Sequence, residues 1–309
     1  MGKTLAMILR PNIHWLRMLF VVRGSVLLVI APQLLATTVF AVVVTLWHGS
    51  ILSWKIPLNF VPFSLIGITL AIFLGFRNST AYARYWEART LWGMVLTHTR
   101  TLTRQALSLT SDSAQARPLV YRLCVFVHAL KHQLRATDAH GDVAMFLSPG
   151  ECERVTQARF PASVALLLAD EWLGQRLRQG QIEPVIVPAL QRSLEQLSNA
   201  LGGCERIAST PIPFTYSVII HRSIYLYCFW LPFGLVDSIG FMTPVIVCFI
   251  AYTFFALEAL GAELEDPFGM EANDLALEGM SYMIESTLLE MLDEPPRTAQ
   301  PQVRNFVLH

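Results

Sequence analysis

Phe63-Ser64-Leu65-Ile66-Gly67-Ile68-Thr69-Leu70-Ala71-Ile72-Phe73-Leu74-Gly75-Phe76-Arg77-Asn78 is the stretch on which the fold turns. Up to Phe76 it belongs to an uncharged run of 21 residues that begins at Ile56. A membrane-spanning helix needs about 20 mostly apolar residues, so this run is long enough to cross. Wound as a helix, it sets Gly67, Ala71 and Gly75 on one line and Ile68, Ile72 and Phe76 on a neighbouring line, each at steps of four. The small residues allow close helix approach. The large ones serve packing, lipid contact or the lining of a pore, and periodicity alone favours the first two.

Similar runs lie on either side. Gly24 to Trp47 gives 24 residues without a charge. Further on, Ser223 to Val236 gives 14, Asp237 interrupts, and Ser238 to Leu257 gives 20 more. With Pro232 and Pro244 in it, this third region reads as a hairpin of two spans, its first helix short or beginning before Arg222. Four spans result. The first run starts too late and is too long for a cleaved signal peptide.

The whole composition agrees. Of 309 residues, 53% are hydrophobic and 15% charged, against about 25% charged in an ordinary soluble protein. Mean hydropathy is +0.46. A disordered chain is excluded by that balance. Lys plus Arg and Asp plus Glu are 23 each, and no dense basic stripe suggests nucleic acid as a partner. Cys124, Cys152, Cys204, Cys228 and Cys248 form no C-x-x-C pair, so reduced, mostly buried thiols are expected, with no disulfide framework or zinc site.

Lys and Arg near the span ends set the orientation. Lys3, Arg10, Arg17 and Arg23 precede the first span, Arg77, Arg84 and Arg89 follow the second, and Arg206 and Arg222 precede the third. The links on the other side hold only Lys55 and Asp237. Both termini and the long middle segment are therefore placed in the cytoplasm, with Trp47 and Trp54 at the outer interface. The segments are 1–23, cytoplasmic; 24–76, the first two spans; 77–206, cytoplasmic and helical; 207–257, the last two spans; and 258–309, a cytoplasmic helix and extended tail.

The middle segment carries helical stripes at Leu91, Val95, Thr99 and Leu102, and at Leu119, Leu123, Phe126, Val127, Leu130 and Leu134. Ser148-Pro149-Gly150-Glu151 has capping-box spacing. Ala162 to Leu177 is expected to be a helix stopped near Gly180, and Pro188 to Ala200 another, ended by Gly202-Gly203. Asn273 or Asp274 is expected to cap a last helix reaching about Leu292. The fold class is an all-α membrane protein, without internal repeats.

Catalytic signatures are sparse. Nucleophile-elbow, P-loop and dinucleotide fingerprints are absent, and no enzyme is expected. His128 and His132 stand four apart on a helix and could share a metal, but no acidic third ligand has matching spacing. Glu258, Glu263, Glu265 and Asp266 after the fourth span are either a hard-cation site or a solvated helix end, the latter preferred. A secondary transporter would show pseudo-repeats and mid-membrane charges, which are lacking.

Three separated motifs, in order, resemble the bestrophin channels: Gly75-Phe76 followed by Arg84-Tyr85-Trp86, Thr210-Pro211-Ile212-Pro213-Phe214-Thr215-Tyr216, and Glu265-Asp266-Pro267-Phe268-Gly269 followed by Asn273-Asp274. With the four spans, the match covers most of residues 10 to 295, and the short tail resembles prokaryotic members. The resemblance implies a homopentamer in the cell membrane, the inner membrane of a bacterium, with one pore on the five-fold axis, membrane lipids and permeant monovalent ions as partners, and no cofactor. Its neck residues correspond to Ile68, Ile72 and Phe76, and a cytoplasmic constriction to Ile186 in Glu183-Pro184-Val185-Ile186-Val187-Pro188. Animal members pass chloride and open with calcium; some prokaryotic relatives pass cations. Asp237 and the acid-rich region after the fourth span favour sodium here, with chloride as the alternative and a membrane-embedded metal-binding protein or enzyme as the second. Of the family's acidic run only Glu271 and Asp274 keep carboxylates, too few for a calcium ion wanting six to eight oxygens, so no calcium activation is expected.

Overall fold

In the computed structural model the described residues are 16, 21, 25–51, 54–55, 60–110, 113–271, 273–300, 303–304 and 307–308. Lys3, Arg10, Arg17 and Arg23, on which part of the orientation rests, lie outside them. Among the described residues the chain is helical apart from two antiparallel pairs of two-residue strands, β1 (Ser50–Ile51) with β2 (Trp54–Lys55) and β3 (Val303–Arg304) with β4 (Val307–Leu308).

The apolar unit comprises residues 25–85 and 211–267 of those described. α1 (Leu27–Leu46) is a single uncharged helix that keeps Pro32 inside it. α2 (Phe60–Leu109) enters this unit from its N-terminus. α8 (Phe214–Ile239) and α9 (Thr243–Glu265) form the expected hairpin, turned by a short 3-10 segment at Gly240–Met242 with Gly240 at φ +54°. α8 begins at Phe214, eight residues ahead of Arg222, so the helix extends beyond its uncharged run. α1, α2 and the α8–α9 hairpin are long and apolar enough to cross a membrane. Their shared core holds Phe63, Leu70, Leu74, Ile224, Leu231 and Phe255. Most other side chains of α1 face outward although they are apolar, which suits lipid as solvent rather than water.

The second unit comprises residues 86–210 and 268–300 together with the short C-terminal strands. It holds the rest of α2, α3 (Arg117–Arg135), the short α4 (His140–Val143) and α5 (Pro149–Thr156), α6 (Pro161–Arg178), α7 (Val187–Ser209) and α10 (Leu277–Glu290). Its core follows the predicted stripes: Val95, Thr99, Leu102, Leu119, Leu123, Phe126, Val127 and Leu130 are all buried. α6 stops as expected, with Gly180 at φ +68°.

Several expected boundaries are corrected. α2 runs unbroken past the end of the uncharged stretch at Phe76; nothing between Arg77 and Leu109 breaks a helix except Gly93, and one glycine is tolerated. α7 runs through Gly202-Gly203 to Ser209. Gly203 is there for contact, because a Cβ on it would stand 2.7 Å from Leu91 Cδ2. Ser148 is the N-cap of α5 with Pro149 first in the helix, but its hydroxyl donates to Glu151 Oε2 (2.9 Å) instead of accepting from the helix backbone. Asp274 does not cap α10, which starts at Leu277. Its carboxylate accepts from the Glu271 backbone N–H at 2.7 Å and closes a turn. Cys124, Cys152, Cys204 and Cys228 are buried, and all five thiols are free.

Candidate functional site

The first part of α2 has two faces. Phe63, Leu70 and Leu74 are buried in the core of the apolar unit. Ile68, Ile72 and Phe76 lie on the opposite side, 60%, 53% and 64% exposed. Three large apolar side chains thus form one open line, spaced four residues apart. From Ile68 to Phe76 the helix advances about 12 Å. On the neighbouring small-residue line, only Gly67 is closely packed, against the Tyr227 side chain; Ala71 and Gly75 are exposed.

The end of that line is anchored. Arg77 follows Phe76 and is buried, and an unpaired buried guanidinium is costly. Its Nη2 donates to Glu265 Oε2 at 3.4 Å. The Ile212 backbone N–H donates to Glu265 Oε1 at 3.0 Å, and Arg84 Nε donates to the Glu265 carbonyl at 3.1 Å. Beside them Asn78 Nδ2 donates to the Leu257 carbonyl and the Tyr216 hydroxyl to the Phe73 carbonyl. Residues from all three sequence motifs therefore meet at Glu265. Sequence reasoning quoted the motifs without seeing this junction. Its one legible trace was a charge, Arg77, directly after an uncharged run.

Ile186 stands at the start of α7 and is half-buried. Ile182 beside it is buried, while the adjacent Val185 is 79% exposed.

The histidine pair has partners other than a metal. His128, on α3, hydrogen-bonds through Nε2 to the fully buried Glu285 on α10 (2.7 Å). Its Nδ1 lies 3.3 Å from Asp142 Oδ2 without hydrogen-bond geometry. Asp142 also accepts from Lys131 Nζ (2.8 Å) and contacts His132 Nε2 (3.0 Å). Lys131 continues to Glu278 (2.8 Å). Glu285 accepts in addition from the backbone N–H groups of Arg297 and Thr298 and from the Thr298 hydroxyl. Burial pulls the His128 pKa down, but Asp142 and Glu285 outweigh it and hold it above the ordinary 6.5. Burial pushes Glu285 up, yet His128 and Thr298 bring it below 4.5. The His128 ring 3.3 Å away and hydrogen bonds from His132 and Lys131 hold Asp142 far below the usual carboxylate range. This is a structural clamp between α3, α10 and the segment after α10. Glu271 and Asp274 meet each other through the turn already described. Among the described residues no group of three or more His, Cys, Asp or Glu is arranged to hold a metal ion.

Comparison with known proteins agrees with these features. A family model described as bacterial/fungal bestrophin protein matches residues 7–290. A voltage-dependent anion channel-forming protein of Ralstonia nicotianae is 48% identical over 305 residues, covering 98% of this chain and all of the relative. The voltage-dependent anion channel-forming protein YneE of Escherichia coli K12 is 43% identical over 288 residues, covering 93% of this chain and 95% of YneE. A crystal structure of a bacterial bestrophin homologue from Klebsiella pneumoniae superposes with a TM-score of 0.84 at 41% identity, covering 86% of this chain and all of that one. The resemblance first seen in three short motifs thus extends along nearly the whole sequence, and the chain belongs to the bestrophin family.

Proposed function

We propose that the chain is the subunit of a homopentameric ion channel of the bacterial inner membrane, with four spans and both termini in the cytoplasm. The observation that carries the reading is the open apolar line Ile68, Ile72 and Phe76 on the side of the helix opposite the packed residues Phe63, Leu70 and Leu74. Five copies of α2 around an axis turn that line into three stacked rings. A narrow apolar collar empties of water, and an ion that cannot replace its hydration does not pass. A small widening rewets it. The junction at Glu265 fixes the α2 backbone just beyond Phe76 and so sets the lowest ring. Ile186 contributes a second, cytoplasmic constriction, with exposed Val185 beside it.

Uncharged rings do not select the sign of the ion by Coulomb attraction. The first reading is a monovalent cation such as sodium, drawn by the acidic outer link at Asp237 and by the aromatic faces of Phe76. Two carboxylates near the inner end are already engaged, Glu265 by Arg77 and Glu258 by His221, which weakens the pull expected of that region. Chloride is the second reading, favoured by the names of the relatives that form anion channels. The test is an ion-substitution recording of purified protein in planar bilayers. A channel gives a current that does not saturate like carrier turnover and has a defined reversal potential. Under a sodium chloride gradient, reversal near the sodium value supports the first reading, and reversal near the chloride value selects the second. A protein that carries no current defeats both.

A further inference from the structure

α8 carries two ionisable residues immediately before its uncharged run, His221 and Arg222, and both are exposed. From Arg222 to the Gly240 turn the helix is about 27 Å long, close to the roughly 30 Å of a bilayer's hydrocarbon core. Arg222 therefore stands at the edge of that core, within reach of the headgroups by snorkelling. His221 Nδ1 is paired with Glu258 of α9 at 2.5 Å. Arg222 has no hydrogen bond or ion pair among the described residues. A guanidinium at the headgroup boundary attracts an anionic lipid by about 1 kcal/mol.

Arg222 borders a groove between α1 and α8 of about 640 Å³. His221, held by Glu258, and Tyr225 line it beside Arg222, and the rest of the wall is apolar or nearly so: Ala36, Thr37 and Phe40 from α1, Leu226 and Phe229 from α8. Phe40 and Phe229 stack at 4.7 Å and form a rigid apolar end. The site thus has a cationic end and a greasy end at the depths where a phospholipid carries its phosphate and its acyl chain.

We propose that this groove binds one anionic phospholipid, its phosphate on Arg222 and an acyl chain against Phe40 and Phe229. A second copy of the chain fits less well. Its four uncharged runs bring no carboxylate to this depth, and Glu258 of each copy is already taken by its own His221. Assignment to the cytoplasmic leaflet rests on the orientation proposed above; the site itself requires only insertion in a membrane.

The test is native mass spectrometry of the purified full-length protein offered equimolar phosphatidylglycerol and phosphatidylcholine. The wild type is expected to retain phosphatidylglycerol in about fivefold excess, the share of one cationic side chain near an anionic lipid. Arg222→Gln brings the ratio to about one at unchanged oligomer mass, whereas Arg222→Lys keeps the excess. Thr37→Trp, which fills the groove and leaves Arg222 in place, also removes it. Glycerol phosphate without acyl chains does not displace the lipid. Equal retention of the two lipids by the wild type, an excess that survives Arg222→Gln or Thr37→Trp, or displacement by glycerol phosphate overturns the proposal. Because binding is read by mass, a failure here is distinct from absence of current.

Discussion

Glu285 is tightly constrained in the second unit: wholly buried, it holds His128 on one side and the backbone of Arg297 and Thr298 on the other. Replacing it with Ala leaves a buried imidazole and two backbone donors without their acceptor, and is expected to cost about 3–5 kcal/mol. The pH dependence has a definite sign. The His128 pKa is raised, so its stabilisation is complete below 6.5 and is lost as pH rises through its folded value. The Glu285 pKa is lowered, so its contribution is complete above 4.5 and is lost as pH falls through its folded value. The wild-type melting temperature should therefore fall as pH is raised above 6.5, and the fall should be smaller in His128→Gln. Equal falls in the two proteins would show that the pair does not titrate as described. This clamp was half legible. The spacing of His128 and His132 was visible in the sequence and suggested a metal, but their carboxylate partners are 157 residues away at Glu285 and on a separate helix at Asp142. Pairings at such separation leave no local pattern.

Among the elements, the reading succeeded wherever hydrophobic periodicity or an uncharged run was long. The two stripes of the middle segment, the α8–α9 hairpin and the stop at Gly180 were all visible that way. It failed where a residue type has two uses. Gly202-Gly203 looks like a helix stop but lies inside α7, where Gly203 admits the Leu91 side chain. Asp274 looks like a cap but closes a turn. The continuity of α2 beyond Phe76 was not legible, because the end of an apolar run does not mark the end of a helix. Gly203→Val tests the packing account directly. Leu91 can yield to a single Cβ, but not to two further methyl groups, and overpacking of this kind costs about 1–3 kcal/mol. A thermal melt of the variant should show that loss; an unchanged melt would mean that α7 and α2 are not held this closely.

At the scale of the whole molecule, three parts of the sequence far apart in the chain serve one helix. Residues near Arg84, Ile212 and Glu265 fasten the end of the α2 segment whose free side is Ile68, Ile72 and Phe76. Periodicity found that stripe, and the family resemblance gave it a meaning; the fastening itself was hidden, since Arg77 and Glu265 stand 188 residues apart. In the account proposed here, the packed face fixes the backbone and the open face governs water. The most direct measurement is the single-channel current of Ile68→Ala, Ile72→Ala and Phe76→Ala in bilayers. Removing even about 1.4 kcal/mol from the barrier that keeps the collar dry raises ion flux roughly tenfold, so increased conductance or open probability is predicted. Currents identical to the wild type in all three variants would contradict it.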